Sequence, residues 1–119
     1  MKHFMHLKEA PFGQIWNGSK TIELRLYDEK RRKIRVGDII EFEDMSGSGR
    51  RIVTNVIALH VFESFEALYE ALPLEKCGYD RDSISKASAS DMKLYYSSDE
   101  QAVYGVVGIE FEVTEMRKQ

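Results

Sequence analysis

Cysteine occurs once in this 119-residue chain, at Cys77, and proline only at Pro11 and Pro73. A lone thiol excludes an internal disulfide, and with no base advertised beside it Cys77 reads as structural rather than nucleophilic. Long apolar runs are missing as well. No stretch approaches the roughly 20 residues that a membrane-spanning helix needs, and the N-terminal "MKHFMHLKEAPF" has no apolar core of the kind that directs secretion. These absences point to the cytoplasm and away from a membrane partner. Nor is there a surplus of one charge: a formal net charge of −3 gives no global pull toward nucleic acid, so any anion-binding surface must be a local patch.

Signature motifs are scarce too. The chain has no P-loop, no G-x-G-x-x-G and no G-x-S-x-G elbow. His3 and His6 stand three apart on a predicted strand and so point to opposite faces, while His60 has no partner at ligand spacing. No metal and no cofactor is expected.

What is present is an ordinary globular composition, 43% apolar and 31% charged, at a length suited to one core and one domain over residues 1–119. "HFMHL" predicts a short strand. "EAPFGQIWNG" predicts a helix, with Pro11 in its first turn, Phe12, Ile15 and Trp16 on one face and Gly18 past its end. "KTIELRLY" alternates strictly, Ile22, Leu24 and Leu26 against Thr21, Glu23, Arg25 and Tyr27, which predicts a strand. "DEKRRKIRVGD" is too polar for core and leads through a turn into a strand from Ile39. "MSGSGRR" supplies a hairpin loop before the long strand 51–62.

Ser64 caps a helix whose buried face is Phe65, Leu68, Tyr69 and Leu72, and which stops before Pro73. Capping-box spacing at Ser88/Asp91 and again at Ser98/Gln101 predicts two short helical turns over 89–103. A closing strand alternates Val107, Ile109, Phe111 and Val113 with Gly108, Glu110 and Glu112. The order lacks the strand–helix alternation of a parallel sheet and predicts an α+β fold, a small, mostly antiparallel β-barrel flanked by short helices.

The charged side of the 20–27 strand is the main functional signal. A polar face is commonplace where an antiparallel strand meets water. Here, however, Lys20 and Thr21 sit at a helix-to-strand junction, Glu23 and Arg25 are same-face neighbours close enough to pair, and a basic loop follows at once. Together they describe a polar cleft offering fork donors and a carboxylate acceptor, suited to a nucleobase together with a phosphate. Lys30, Arg31, Arg32, Lys33 and Arg35 form the densest basic cluster, with Arg50 and Arg51 as further candidates. They read either as a solvated loop or as a sequence-independent phosphate guide for RNA. Trp16, Tyr27, Tyr95 and Tyr96 are candidates for stacking on splayed bases.

"GSKTIELR", a polar loop and then "VGDIIEF" resemble the ASCH domain, a family related in fold to the PUA group of RNA-binding β-barrels. The likeness extends through "HLKEAPFGQIWNG", "FESFEAL" and "MKLYYSSDEQAVYGVVGIEF". It implies a barrel with a cleft lined by Lys20, Thr21, Glu23 and Arg25 that takes RNA or a nucleotide-like ligand. Some members resemble small hydrolases that remove an acyl group from a modified cytidine, using a Lys at this strand's start and a Thr where this chain has Glu23. The alternative implied is a hydrolase acting on a modified nucleoside or an RNA phosphodiester, with Lys20 and Glu23 as proton-transfer groups. Paired charges favour the ionised form of each partner and so favour binding over general acid chemistry.

Overall fold

The computed structural model describes residues 1–118. Its regular elements are β1 (Lys2–Leu7), α1 (Glu9–Trp16), β2 (Ile22–Leu26), α2 (Glu29–Arg32), β3 (Ile39–Asp44), β4 (Arg51–Phe62), α3 (Phe65–Ala71), α4 (Ser98–Tyr104) and β5 (Val106–Arg117). Short 3-10 turns at Leu74–Lys76, Ile84–Lys86 and Ala89–Leu94 carry the chain from α3 to α4.

The strands form one five-stranded mixed sheet in the order β1-β3-β4-β5-β2. β1 runs parallel to β3, and the other three pairings are antiparallel. The fold is therefore α+β, but the sheet does not close into the expected barrel: β1 and β2 are its two edges and do not pair with each other. The cause lies in the β4–β5 ribbon. One half of it carries β3 and β1 and contains a register shift at Val53/Thr54; the other carries β2, and a second shift at Val56/Ala58 lies between the halves. Such bulges bend and twist a ribbon. Both edges line one cleft, with no ladder between them.

Each face of the curled sheet buries its own cluster. On one, Phe12 and Ile15 of α1 pack with Leu7, Ile40, Phe42, Val107, Ile109 and Phe111. On the other, Phe65 and Leu68 of α3 pack with Ile22, Leu24, Leu26 and Val106. β2 buries Ile22, Leu24 and Leu26 in the second cluster, while its other face carries the buried Glu23 and the half-buried Arg25 rather than the fully exposed polar face an edge strand would ordinarily show. Truncating a fully buried anchor such as Phe12 would cost roughly 3–5 kcal/mol.

Three local expectations shift. Residues 28–38 are not merely a polar loop: Asp28 caps α2 by accepting from the Arg31 N–H, and Ile34 beyond it is 3% exposed and belongs to the first cluster. The second capping box is formed by Ser97 and Glu100, one residue earlier than Ser98 and Gln101, which frees Gln101 to accept from the buried Phe65 N–H. β5 continues to Arg117, because past the register shifts its alternation breaks and leaves Val113 and Met116 exposed on a strand that still pairs. No helix among the described residues is long and apolar enough to cross a membrane.

A candidate ligand cleft at the open seam

The connection from α1 to β2 fixes the first site residue. Asn17 is the C-cap of α1, and Gly18 follows at φ +88°, where a side chain would be strained, so the chain reverses sharply. The Lys20 N–H then donates to the Gln14 carbonyl at 3.0 Å, and the Thr21 N–H to the Lys76 carbonyl at 2.9 Å. Gly78, at φ +115°, leaves the adjoining space open: a Cβ there would lie 3.1 Å from Gln14 Oε1 and 3.8 Å from Lys20 Nζ.

The phase of β2 sets the rest. Thr21 O accepts from the Phe111 N–H, and the Tyr27 N–H donates to Gly105 O, so the odd-numbered residues of β2 bond to β5. The backbone N–H and C=O of Leu24 consequently point at the open edge. That edge is the wall of a cleft of about 480 Å³ to which β1 contributes His6 and Leu7, β2 contributes Glu23, Leu24 and Arg25, and the 69–96 segment contributes four tyrosines.

Glu23 is the centre of this wall. Its Oε1 lies 2.8 Å from Lys20 Nζ; its Oε2 accepts from Arg25 Nε at 2.9 Å and lies 2.8 Å from Arg25 Nη2. All three side chains are largely buried. Burial alone would raise the Glu23 carboxyl, but Lys20 and Arg25 overcome it and hold the group below the ordinary carboxylate range. Arg25 is held above its ordinary value because Glu23 outweighs its own desolvation. The triad is a fixed ionic cluster of net charge +1, with both carboxylate oxygens occupied and spare N–H donors on Lys20 and Arg25.

Lys20, Glu23 and Arg25 are therefore brought together, whereas Thr21 is not: its side chain lies outside the cleft wall and only its backbone acts, tying β2 to Lys76 and to β5. The basic cluster divides. Arg31 is spent on Asp28 at 3.2 Å, and Arg32 donates to the Tyr104 carbonyl and covers the Tyr27 ring at 4.4 Å. Lys30, Lys33 and Arg35 reach solvent with no ion-pair partner among the described residues. Arg50 pairs with Asp44 and lies over the Phe12 and Trp16 rings, and Arg51 pairs with Glu41, so neither is a free cation.

Of the stacking candidates, Trp16 stacks on Phe12 beside the core and Tyr27 sits under Arg32. Tyr95 and Tyr96 do line the cleft. Tyr96 stacks on Phe65, and Tyr95 is 61% exposed at the mouth with Lys8 Nζ 5.8 Å from its ring centroid. His3 is taken up by Asp38, His6 by Glu43 and His60 by Glu110.

Sequence reasoning missed three other residues of the cleft lining, Tyr69, Tyr79 and Asp91. Tyr79 donates to Asp91 Oδ2 at 2.6 Å, and the Tyr69 and Tyr79 hydroxyls are 2.7 Å apart. Burial, reinforced by the bonds to Asp91 and Tyr69, pushes the Tyr79 phenol far above its ordinary value, so it keeps its proton. Asp91 was legible as half of a capping box, which it is, but nothing in the spacing tells that the same carboxylate faces a cleft. Cys77 also lines the cleft; burial pushes its thiol up to about 11, and its Sγ donates to the Pro73 carbonyl. A wider groove of about 840 Å³ between α3, α4 and residues 87–93 has Glu63, Glu66 and Glu70 along it, but no comparable convergence of donors and acceptors.

The sequence model of a family described as the ASCH domain matches residues 5–115. Among solved structures, the crystal structure of hypothetical protein PH0355 is similar at 34% identity and a TM-score of 0.78, over 96% of this chain and 100% of that one. The solution NMR structure of protein PF0455 from Pyrococcus furiosus is similar at 36% identity and a TM-score of 0.73, over 97% of this chain and 99% of that one. No curated protein matches the chain.

Proposed function

Because this chain belongs to the ASCH domain family, we propose that its seam cleft binds RNA or a nucleotide-like ligand, with Lys20, Glu23 and Arg25 as the recognising side chains. The observation that carries this reading is the buried Lys20–Glu23–Arg25 cluster facing a tyrosine-walled cleft. Glu23 holds the two cations in place while their remaining protons address base or phosphate acceptors. Leu24 adds a main-chain donor and acceptor, and Tyr95 and Tyr96 supply ring faces. Thr21 contributes by fixing the strand.

Outside the cleft, Lys30, Lys33 and Arg35 act as the electrostatic guide for the phosphate chain, while Arg31 and Arg32 chiefly hold α2. The geometry favours binding over hydrolysis. Glu23 is held ionised with both oxygens occupied, so a base role would first require a substrate to displace Lys20 or Arg25.

The test is fluorescence anisotropy with labelled single-stranded RNA in a salt series, on the wild type and on a Lys30→Gln/Lys33→Gln variant. Removing two phosphate contacts should reduce the slope of log K against log salt by about 1.4. A folded protein that binds no RNA at low salt would overturn the RNA reading.

A further inference from the structure

Two parts of the cleft lining differ in hydrogen-bonding sense, and the difference follows from which protons are already committed. On the β2 wall, Glu23 Oε1 lies against Lys20 Nζ and Oε2 against Arg25 Nε and Nη2. What remains there for a ligand from these side chains is N–H donors. Elsewhere in the lining, Tyr79 gives its only proton to Asp91 Oδ2 at 2.6 Å. Its oxygen must therefore accept from Tyr69 across the 2.7 Å contact, which commits the Tyr69 proton as well. Asp91 Oδ2 also accepts from the Ser88 N–H at 3.3 Å, and that bond fixes the carboxylate on its turn. What remains here is acceptors: Asp91 Oδ1 and a lone pair of Tyr69. All three residues line the same cleft as Lys20, Glu23 and Arg25.

We infer that Tyr69, Tyr79 and Asp91 form the acceptor end of the cleft and select a nucleobase that carries an exocyclic amine over its oxo counterpart. An amino-bearing base presents N–H donors to Asp91 and ring or carbonyl acceptors to the Lys20–Arg25 wall. An oxo base in the same pose would place its oxygen against a carboxylate oxygen and its ring N–H, where the amino base has an acceptor, against the Lys20 and Arg25 donors. A site built to accept from an N–H at one place and donate at another disfavours the analogue with both reversed, because its own polar atoms are then left unpaired. Tyr79 is a positioning residue, since its bond orients Asp91 and uses up the Tyr69 proton. The inference rests on the nucleotide reading above and adds the class of base.

The experiment is a calorimetric titration of the full chain with adenosine, inosine, cytidine and uridine 5′-monophosphates, two pairs that differ chiefly by amine against oxo. The amino member of each pair should bind roughly ten-fold or more tightly. Asp91→Asn, which places an amide donor at this end, should shrink or reverse both ratios. Should that variant lose its cap and unfold, Tyr79→Phe leaves the Ser88–Asp91 box intact, frees the Tyr69 proton and should narrow the same ratios. Equal binding of amino and oxo members, or ratios unchanged in a folded variant, overturns this inference alone. Failure of all four nucleotides and of single-stranded RNA to bind removes the nucleotide reading and this inference with it.

Discussion

Two glutamates in this molecule are almost equally buried, yet their surroundings differ in a way that separates a cleft from a surface. Glu23 is enclosed with Lys20 and Arg25, whose side chains are only 9% and 18% exposed, inside the seam cleft. Glu41, on β3, is reached by Lys2, Arg51 and Arg117, whose side chains are 43–50% exposed and lie across it from neighbouring strands. Both carboxyls are subject to burial that would raise them, and both are held below the ordinary range by their cations. The difference is in where the cations can go. Those around Glu41 can swing into water; those around Glu23 are enclosed in the cleft lining.

Removing each carboxylate in turn should separate the two glutamates most strongly. Glu23→Gln leaves two buried cations without their counter-charge and should cost about 3–5 kcal/mol in urea unfolding. Glu41→Gln should cost only about 1 kcal/mol, because its exposed partners rehydrate. Equal losses would mean that the cleft cations are as free as the surface ones.

Acid should act on both glutamates with a smaller effect. A carboxyl whose folded value lies below its unfolded one contributes stability that is complete above the unfolded value and is lost as pH falls through the folded one. Glu23 and Glu41 both belong to this class, as does Asp38, which the His3 side chain, the Arg35 N–H and the terminal amine hold at about 2. Urea midpoints should therefore fall steadily between about pH 5 and pH 2. The fall should be shallower in Glu23→Gln and in Glu41→Gln, each of which lacks one titrating carboxyl. An unchanged acid limb in Glu23→Gln would mean that Glu23 is not held in its ionised form by Lys20 and Arg25.

Much of this architecture was legible in local pattern. The alternation of 22–26, the limits of the 51–62 strand, the Ser64 cap and the Phe12/Ile15 face are all dictated by neighbours within a few residues, so the sequence predicts them. The Glu23–Arg25 pairing was legible for the same reason, since i and i+2 on a strand share a face. Closure was not legible. Whether a curled sheet joins its edges depends on bulges at Val53/Thr54 and Val56/Ala58, which leave no mark in composition. Another part of the cleft lining was hidden for a related reason. Tyr69 comes from α3, Tyr79 from the loop beyond it and Asp91 from the 89–94 turn, and only the packing of these segments together brings their side chains into contact. Ile34 was lost among cations because a single apolar residue has no period.

The seam's role as the recognition surface is the central claim, and amide chemical shifts test it most directly. Titrating the isotope-labelled protein with a short single-stranded RNA should move the amides of Lys20 to Leu26, Cys77 to Tyr79 and Asp91 to Tyr96, and leave those of Lys2, Glu41 and Arg117 in place. Shifts concentrated around Glu41 on the outer surface, with the seam silent, would contradict the account.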